Sequence, residues 1–467
     1  MSEQRTIDHA IVIGASMAGL LAARVLADHS QQVTILERDR LPEGADYRPG
    51  VPQARHGHGL LARGLQTMEA LFPSLHDDLD AAGVPRVEWM FDTLQRIPTG
   101  WTPRYHSGLI ARACTRVTLE AIVRKRVLAL PNVRVCESTY VEALTADTRA
   151  NRVTGVTFSH RPRKDGPPTT LQADLIVDAS GRGSRAPEWL AALGYPPPDE
   201  TIIDAQLGYA SRLYRLRSEP EWKTLLMMTS PALPRGGAFH AVEGGRWILT
   251  LAGIGDHRPP TDEAGLDAFI ESLGVPLLSE ALADAEPLTP IYGYSRTANR
   301  LRHYERLRHP PDGFIVLGDA VCAFNPIYGQ GISASAIAAS VLDHALRRGF
   351  RGLPRRFQRA LARANADIWL MATTEDLRYP TTTGRRGSLM RMTQTAYIDL
   401  LFRAAPASPA VTQALLETMH LLRRPYGLLR PSVLLPAISA LLRRRPAQHV
   451  LTGTAAPLPP PDAIASP

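Results

Sequence analysis

The first 37 residues show a change in the spacing of apolar positions. A short β-branched run at residues 9–14 ends in glycine, residues 17–29 carry apolar side chains at helical spacing, and residues 32–37 form a second apolar run. These changes of period are typical of a strand, a helix and a second strand. The pattern therefore predicts a βαβ unit at the start of the chain.

Strands and helices continue to alternate further along. Short strands are predicted near residues 133–137, 140–146 and 152–159, and within 173–184 and 313–320. Helices are predicted over residues 108–130 and about 331–347. Residues 200–300 alternate short strands with loops, and the region after residue 352 is arginine-rich and helical. These elements predict an α/β (α+β) fold: a Rossmann-like domain, a second domain built on a mixed β-sheet, and a helical C-terminal region.

The charge of the chain comes mainly from arginine. Among 467 residues with a net charge of +8, only three are lysine, so 50 of the 53 basic residues are arginine. They are scattered along the chain instead of forming one stripe, so we expect no nucleic-acid partner. No stretch of about 18 uncharged apolar residues occurs, so no membrane-spanning helix is expected. The basic C-terminal helices allow peripheral membrane contact at most.

The three cysteines, Cys114, Cys136 and Cys322, lie far apart and form no C-x-x-C pair. We therefore expect reduced thiols in a cytoplasmic protein, without a redox dithiol. His56 and His58 are close in sequence, but no further ligand cluster accompanies them. No metal site is expected.

The loop from Gly14 to Gly19, GASMAG, allows two interpretations. Gly14, Ser16 and Ala18 come close to the G-x-S-x-G elbow that carries a nucleophilic serine. The same loop comes close to G-x-G-x-x-G, in which the start of the helix binds a diphosphate. Glu37 closes the second strand and favours the dinucleotide interpretation, because an acidic residue there accepts the hydroxyl groups of a ribose.

A second loop, residues 318–333 (GDAVCAFNPIYGQGIS), follows a buried strand and precedes a helix. Its backbone N–H groups and the positive end of the helix suit a bound anion or an electron-rich ring. Asp319 at the strand end is placed to bind hydroxyl groups of the ligand, with capping of a turn as the simpler alternative.

Together these motifs, with DASGRGS at residues 178–184, resemble the FAD-dependent monooxygenases of the para-hydroxybenzoate hydroxylase fold. Residues 115–124, TRVTLEAIVR, are similar to the arginine-bearing helix of that family. Residues 48–61, RPGVPQARHGHGLL, narrow the resemblance to flavin epoxidases of bacterial polyether and polyketide pathways. The resemblance covers roughly residues 8–350, so the Rossmann-like domain is expected to be an FAD-binding domain.

The resemblance implies roles for individual residues. At the adenosine end, Glu37 would bind the ribose, Arg38 would lie beside the adenine, and the backbone of Val141 would contact it. The diphosphate and ribityl chain would be held by Gly14, Ala15, Ser16, Met17, Ala18, Gly19, Arg116 and Asp319. The isoalloxazine would lie near Arg55, His56, Pro326, Gly329, Gly331 and Ile332. For Arg55, a solvated loop charge is the alternative.

The chemistry implied is transfer of one oxygen atom from O2 to a hydrophobic natural product, through a flavin C4a-hydroperoxide, by alkene epoxidation or hydroxylation. No second dinucleotide motif occurs, so NAD(P)H would dock transiently or a partner flavin reductase would supply reduced flavin. The sequence identifies no catalytic base. Two alternatives stay open: an FAD-containing cyclase for cycloadditions with a structural flavin, and a flavin reductase like the geranylgeranyl reductases.

The substrate is expected between the FAD-binding domain and the sheet of residues 200–300. Apolar residues there line the pocket or, as the simpler alternative, fill the core: Tyr209, Tyr214, Met227, Met228, Phe239 and Trp247. The predicted domain segments are 1–85, 111–195 and 301–350 for FAD binding, 86–110 and 196–300 for the substrate domain, 351–453 for the helical region, and 454–467 for a disordered tail.

Overall fold

The computed structural model describes residues 7–160, 168–384 and 389–442, so the predicted tail 454–467 lies outside the described residues. The mixed helices and strands confirm the predicted fold class. The helices are α1 (Met17–His29), α2 (Ala62–Leu71), α3 (Leu75–Ala81), α4 (Arg116–Leu128), α5 (Ala186–Ala192), α6 (Glu263–Ser272), α7 (Pro276–Leu282), α8 (Gly331–Leu346), α9 (Leu353–Asp376), α10 (Leu389–Ala404), α11 (Pro409–Met419) and α12 (Pro431–Leu442).

The strands belong to several sheets. They are β1 (Ile7–Ile13), β2 (Ser30–Leu36), β3 (Gly59–Leu60), β4 (Arg86–Glu88), β5 (Thr93–Ile97), β6 (Gly100–Trp101), β7 (Ile110–Ala113), β8 (Val133–Cys136), β9 (Thr139–Asp147), β10 (Arg152–His160), β11 (Thr169–Gln172), β12 (Leu175–Asp178), β13 (Glu200–Ile203), β14 (Leu207–Arg215), β15 (Thr224–Met227), β16 (Arg235–Val242), β17 (Arg246–Ile254), β18 (Glu286–Pro287), β19 (Tyr292–Tyr294), β20 (Asn299–Arg302), β21 (Phe314–Val316) and β22 (Cys322–Ala323).

A parallel sheet in the order β21–β12–β1–β2–β8 forms the first layer. Helix α1 packs against α8 and α4, and its apolar face joins the buried runs of β1, β2 and β12 in one core. Because β1 and β21 run in the same direction, the loops that lead from them to α1 and α8 lie at the same edge of the sheet. The predicted βαβ unit and the small-residue helix at α8 are both present.

A larger mixed sheet, β18–β14–β17–β16–β15–β5–β6, has two faces of different character. On β17, Trp247, Leu249 and Leu251 pack with α6 and α7 in an aromatic-rich core. Thr250 and Ala252, which point the other way, line a cavity. This is the alternation that a strand imposes, since successive side chains project to opposite faces. The sheet therefore forms a core on one side and a cavity wall on the other.

The helical C-terminal region predicted after residue 352 is confirmed for its described part. Helix α9 packs on α8, and α12 packs against α10 and α11. Residues of these last three helices form a separate apolar cluster that includes Ile97 at the end of β5. Among the described helices, none is both long enough and apolar enough to cross a bilayer.

The helix predicted over residues 108–130 is wrong in its first part. Residues Ile110–Ala113 form β7, which pairs with β4 and β3, and the helix begins only at Arg116. The Thr115 side chain caps α4 by accepting a hydrogen bond from the backbone N–H of Thr118. The strand depends on partners 22 to 54 residues away in the chain, which local periodicity does not reveal.

We predict that Gly19→Ala forces α1 away from β1 and lowers the free energy of unfolding. A Cβ at residue 19 would lie 1.8 Å from the carbonyl oxygen of Gly14, which is rigid backbone. Overpacking of this kind costs about 1–3 kcal/mol or more of unfolding free energy. Urea unfolding should show this loss in the variant. A matched change, Gly44→Ala, places its Cβ where no atom lies within 4 Å and should leave the unfolding midpoint unchanged.

Candidate functional site

One cavity of about 900 Å³ lies where the two sheets and the C-terminal helices meet. Its first wall is the edge of the parallel sheet, with the loops that precede α1 and α8. Its second wall is the open face of the mixed sheet, and its third is formed by α9, α10, α11 and residues 425–429. The volume is near the upper end of the roughly 300–1,000 Å³ typical of small-molecule sites.

The loop before α1 has the shape of an anion-binding turn. Gly14 has a φ of +99°, and its N–H donates to the Leu36 carbonyl at 2.8 Å. Ser16 occupies the N-cap of α1, and Ser16, Met17 and Ala18 line the cavity. Gly14 and the buried Ala15 shape the turn behind them, so the helix N-terminus faces the cavity.

The Ser16 hydroxyl decides between the two interpretations of this loop. It accepts a hydrogen bond from Arg116 Nη2 at 2.8 Å and donates one to Glu120 Oε2 at 3.1 Å. A nucleophile elbow would need a histidine in that position. The arginine partner instead favours the phosphate-binding interpretation.

Glu37 is buried and holds the same loop in place. Its Oε2 accepts the N–H of Ala15 at 2.7 Å, and its Oε1 accepts the N–H of Asp39 at 2.9 Å. The structure thus gives Glu37 a positioning role that the sequence did not reveal, while the expected ribose contact stays a prediction. Arg38, which follows it, lines the cavity and donates to the Gly50 carbonyl at 3.1 Å.

Arg48 neutralises three buried or half-buried carboxylates behind the loop. Its guanidinium lies 3.3 Å from Glu37 Oε2, 3.0 Å from Asp39 Oδ2 and 2.9 Å from Glu120 Oε1. Although burial opposes its charge, Glu120 and Glu37 raise the pKa of Arg48. Although burial also opposes the charge of Glu120, Arg116 and Arg48 lower its pKa. Arg48 and Glu120 are therefore both ionised at neutral pH. Arg48 and Glu120 stand in recognised motifs, yet the sequence did not assign them roles.

Asp319 lies at the edge of the parallel sheet and lines the cavity. Burial raises the pKa of its carboxyl, and the nearby Arg182 opposes this rise. The Asp319 side chain is 40% exposed, and it lines the cavity. Its Oδ2 lies 3.8 Å from Arg182 Nε. Two other nitrogens of Arg182 donate to the carbonyls of Ala298 and Phe324, so the guanidinium is fixed. Arg182 lies within the DASGRGS motif but was not predicted as a site residue.

The loop before α8 presents backbone to the cavity. A short 3₁₀ turn, Pro326–Tyr328, is followed by Gly329 in the left-handed conformation with a φ of +65°. A Cβ added at Gly331 would meet no atom within 4 Å, so the first turn of α8 is open. Pro326, Gly329, Gly331 and Ile332 all line the cavity, as a ring bound against this loop requires.

Asp376, at the end of α9, holds the 3₁₀ turn Pro326–Tyr328 in place through hydrogen bonds. Its carboxylate accepts hydrogen bonds from Asn299 Nδ2 at 2.5 Å, Asn325 Nδ2 at 3.0 Å and Tyr328 Oη at 2.7 Å. Burial raises the pKa of Asp376 to about 6, against the effect of these donors. Only the fold brings α9 under this loop, so no sequence motif indicates the residue.

Three histidines, His56, His58 and His240, line the cavity. His56 Nδ1 lies 2.9 Å from Ser211 Oγ, which lies 2.8 Å from Thr250 Oγ1. Burial, assisted by Arg55, lowers the pKa of His56 to about 4. Burial likewise lowers the pKa of His240 to about 4 and that of His58 to about 3. These imidazoles are therefore neutral at physiological pH.

Arg55 and Val141 are among the predicted residues that do not line the cavity. Arg55 is held between two aromatic rings, its guanidinium carbon 4.5 Å from the centre of Tyr47 and 4.3 Å from that of Tyr292. It is therefore neither a solvated loop charge nor part of the cavity wall, because cation–π contacts satisfy it. Val141 is buried in β9 opposite Phe158. Its expected contact with adenine stays a prediction.

The far end of the cavity is apolar. Tyr209, Met227 and Met228, which the sequence offered as pocket residues, line it. The other three candidates, Tyr214, Phe239 and Trp247, belong to the core behind the sheet. The C-terminal region contributes further apolar lining residues, which the sequence did not indicate: Tyr397, Ile398, Phe402, Leu415, Leu416 and Met419. These helices carry no motif, and only their packing places them over the sheet.

The chain is similar to known proteins both in sequence and in fold. A family model described as "FAD binding domain" matches residues 8–353. Protein Rv3254 of Mycobacterium tuberculosis is 35% identical over 439 residues, 90% of each chain. Kynurenine 3-monooxygenase of Salinispora tropica is 28% identical over 73% of each chain. The solved flavin-dependent brominase Bmp2 superposes with a TM-score of 0.66 at 15% identity, covering 94% of this chain and all of that one, which shows the fold alone.

We predict that Arg48→Met destabilises the protein by about 3–5 kcal/mol, because it leaves the carboxylates of Glu37, Asp39 and Glu120 without their common partner. Arg215→Met is the matched control. Arg215 pairs with Glu286 at 3.0 Å, but both side chains are more than half exposed, so the loss should stay below about 1 kcal/mol. Urea unfolding of both variants measures the difference, and equal losses would contradict the assigned role of Arg48.

We predict a specific pH dependence for Asp376→Asn. Because the pKa of Asp376 is raised in the folded state, its contribution to stability is present at low pH and is lost as pH rises toward 6. The unfolding free energy of the wild type relative to the variant should fall by about 2 kcal/mol from pH 4.5 to 6 and then level off. Urea unfolding across this range measures it. A relative stability that rises with pH would show that the carboxylate is instead favoured in its ionised form.

Proposed function

Because the chain belongs to the FAD binding domain family and is a flavin-dependent oxidoreductase, we propose that it transfers one oxygen atom from O2 to a hydrophobic small molecule. The observation that carries this proposal is one continuous cavity, which runs from the phosphate-type loop at Ser16 to an apolar end under the C-terminal helices. The similarity to kynurenine 3-monooxygenase supports a monooxygenase in particular.

The residues present fit FAD. The α1 N-terminus and Arg116 suit a diphosphate, and the partly exposed carboxyl of Asp319 on the cavity surface suits ribityl hydroxyls. The open first turn of α8 at Gly331 leaves room for a flat ring and directs its positive end at it. When bound and reduced by NAD(P)H, FAD supplies the electrons that activate O2.

The chain itself supplies position and a dry environment. Tyr209, Met227 and Met228 from the sheet and Phe402 and Leu415 from the helices enclose the apolar end. Their apolar surfaces disfavour water at this end of the cavity, which limits side reactions of a reactive intermediate. The neutral His56 and His240 add hydrogen-bonding atoms without charge. An uncharged substrate is therefore favoured over an acidic one.

We further propose that the substrate is a polyketide-like alkene or phenol, which the protein epoxidises or hydroxylates. The support is the resemblance of residues 48–61 to the epoxidase branch and the apolar residues that line this end of the cavity. An alkene needs no general base for oxygen transfer, in agreement with imidazoles whose low pKa values make them weak bases.

The test uses the purified FAD-bound protein, NAD(P)H, a panel of polyenes and phenols, and ¹⁸O-labelled O2. We expect the flavin absorbance to bleach and recover, and the product to gain one labelled oxygen atom. Labelled water with ordinary O2 is the control and should give unlabelled product.

Other outcomes would identify the alternatives. Product formation with an unchanged flavin spectrum would indicate a cyclase with structural FAD. Turnover only without O2 would indicate a reductase. A purified protein that binds no FAD would exclude all three.

A further inference from the structure

Exposed large hydrophobic side chains concentrate on one segment near the end of the described chain. Within residues 7–160, 168–384 and 389–442, five of eight such side chains lie between residues 426 and 442. We call them the apolar terminal face: Tyr426, Leu429, Leu435, Ile438 and Leu442. A contiguous exposed apolar patch marks a surface that contacts something else.

Helix α12 provides three of these five side chains. Its sequence, PSVLLPAISALL, contains no charged residue. Val433 and Ala437 face inward and pack in the cluster with α10 and α11. Leu435, Ile438 and Leu442 follow one another at helical spacing on the outer face, and Leu442 is 77% exposed. A helix that is apolar on every side is normally buried on every side, so the outer face needs a covering surface.

The apolar terminal face borders the opening of the cavity. Tyr426 and Leu429 line the cavity although each is 58% exposed, so they stand at its mouth. Arg424 fixes this segment to α9 through a 2.8 Å ion pair with Asp367, which also lines the cavity. A surface that covers the apolar terminal face would therefore also meet the entrance.

The segment around this face is basic in sequence, although Arg423 pairs with Glu417 at 2.7 Å and Arg424 pairs with Asp367. From Thr418 to Pro461 the chain contains no acidic residue and six arginines. Three precede α12 and three follow it directly: Arg423, Arg424, Arg430, Arg443, Arg444 and Arg445. Apolar side chains flanked by arginines are the composition of segments that lie in the interface of an anionic bilayer.

We propose that the apolar terminal face docks on an anionic lipid surface, with α12 lying in the plane of the interface and the cavity mouth directed at the lipid. A second copy of the chain is the less favourable occupant, because a symmetric contact would bring like charges of both copies together. Delivery of a lipophilic substrate from the bilayer to the cavity follows from this placement and rests on the proposed function.

The test is sedimentation of the full-length FAD-bound protein with vesicles of phosphatidylcholine alone or mixed with phosphatidylglycerol. We expect binding to the mixed vesicles, weakened by salt because the arginines contribute. The triple variant Leu435→Gln, Ile438→Gln, Leu442→Gln should lower the vesicle affinity at least about tenfold. Its side chains point outward, so FAD absorbance and far-UV circular dichroism should not change. Ile202→Gln, at another exposed apolar residue, is the control and should bind as the wild type does.

Two results would overturn the proposal. One is absence of sedimentation with the mixed vesicles. The other is a wild-type dimer in analytical ultracentrifugation that the triple variant converts to a monomer, which would make a second copy the occupant. Should the triple variant misfold, Leu435→Gln alone replaces it. Vesicle binding is measured without NAD(P)H or substrate, so its failure and a failure of oxygen transfer are separate results.

Discussion

Parallel pairing of β1, β12 and β21 is the constraint on which the rest of the site depends. The three strands come from residues 7–13, 175–178 and 314–316, yet they run side by side in one direction. Their following loops, which carry Ser16, Arg182 and Asp319, must therefore meet at one edge. Two of these loops open helices, so two positive helix ends converge on the cavity. No single segment contains this site.

Buried charged side chains hold the loops at this edge of the parallel sheet in place. Arg48 joins the carboxylates of Glu37 and Glu120, and these in turn fix Ala15 and Ser16. On the opposite side, Asp376 accepts hydrogen bonds from Asn325 and Tyr328 of the loop before α8 and from Asn299 of β20. In both places, a residue without access to the ligand sets the shape of the backbone that lines the cavity. Buried ionic groups of this kind specify one geometry even where they add little net stability.

The other end of the cavity is formed by apolar packing instead of buried charge. It is formed by alternate side chains of the mixed sheet and by helices α10 and α11, whose apolar residues carry no motif. The cavity therefore has a charged end suited to a dinucleotide and an apolar end suited to a hydrophobic molecule. His56 and His240, which burial keeps neutral, also line the cavity.

The sequence by itself determined the βαβ unit and the positions of the loops before α1 and α8, because each depends on residues within about 25 positions, while the ligand contact of Asp319 stays a prediction. The close approach of Gly19 to the Gly14 carbonyl follows from the glycine spacing of the motif, whereas the hydrogen bond from the Ala15 N–H to Glu37 does not. Only the tertiary structure decided that residues 110–113 form a strand, that Arg55 lies between two tyrosines, and that Asp376 supports the loop before α8. It also placed the C-terminal helices over the cavity. The physical reason is that these contacts join residues tens to hundreds of positions apart, where neither periodicity nor spacing carries information.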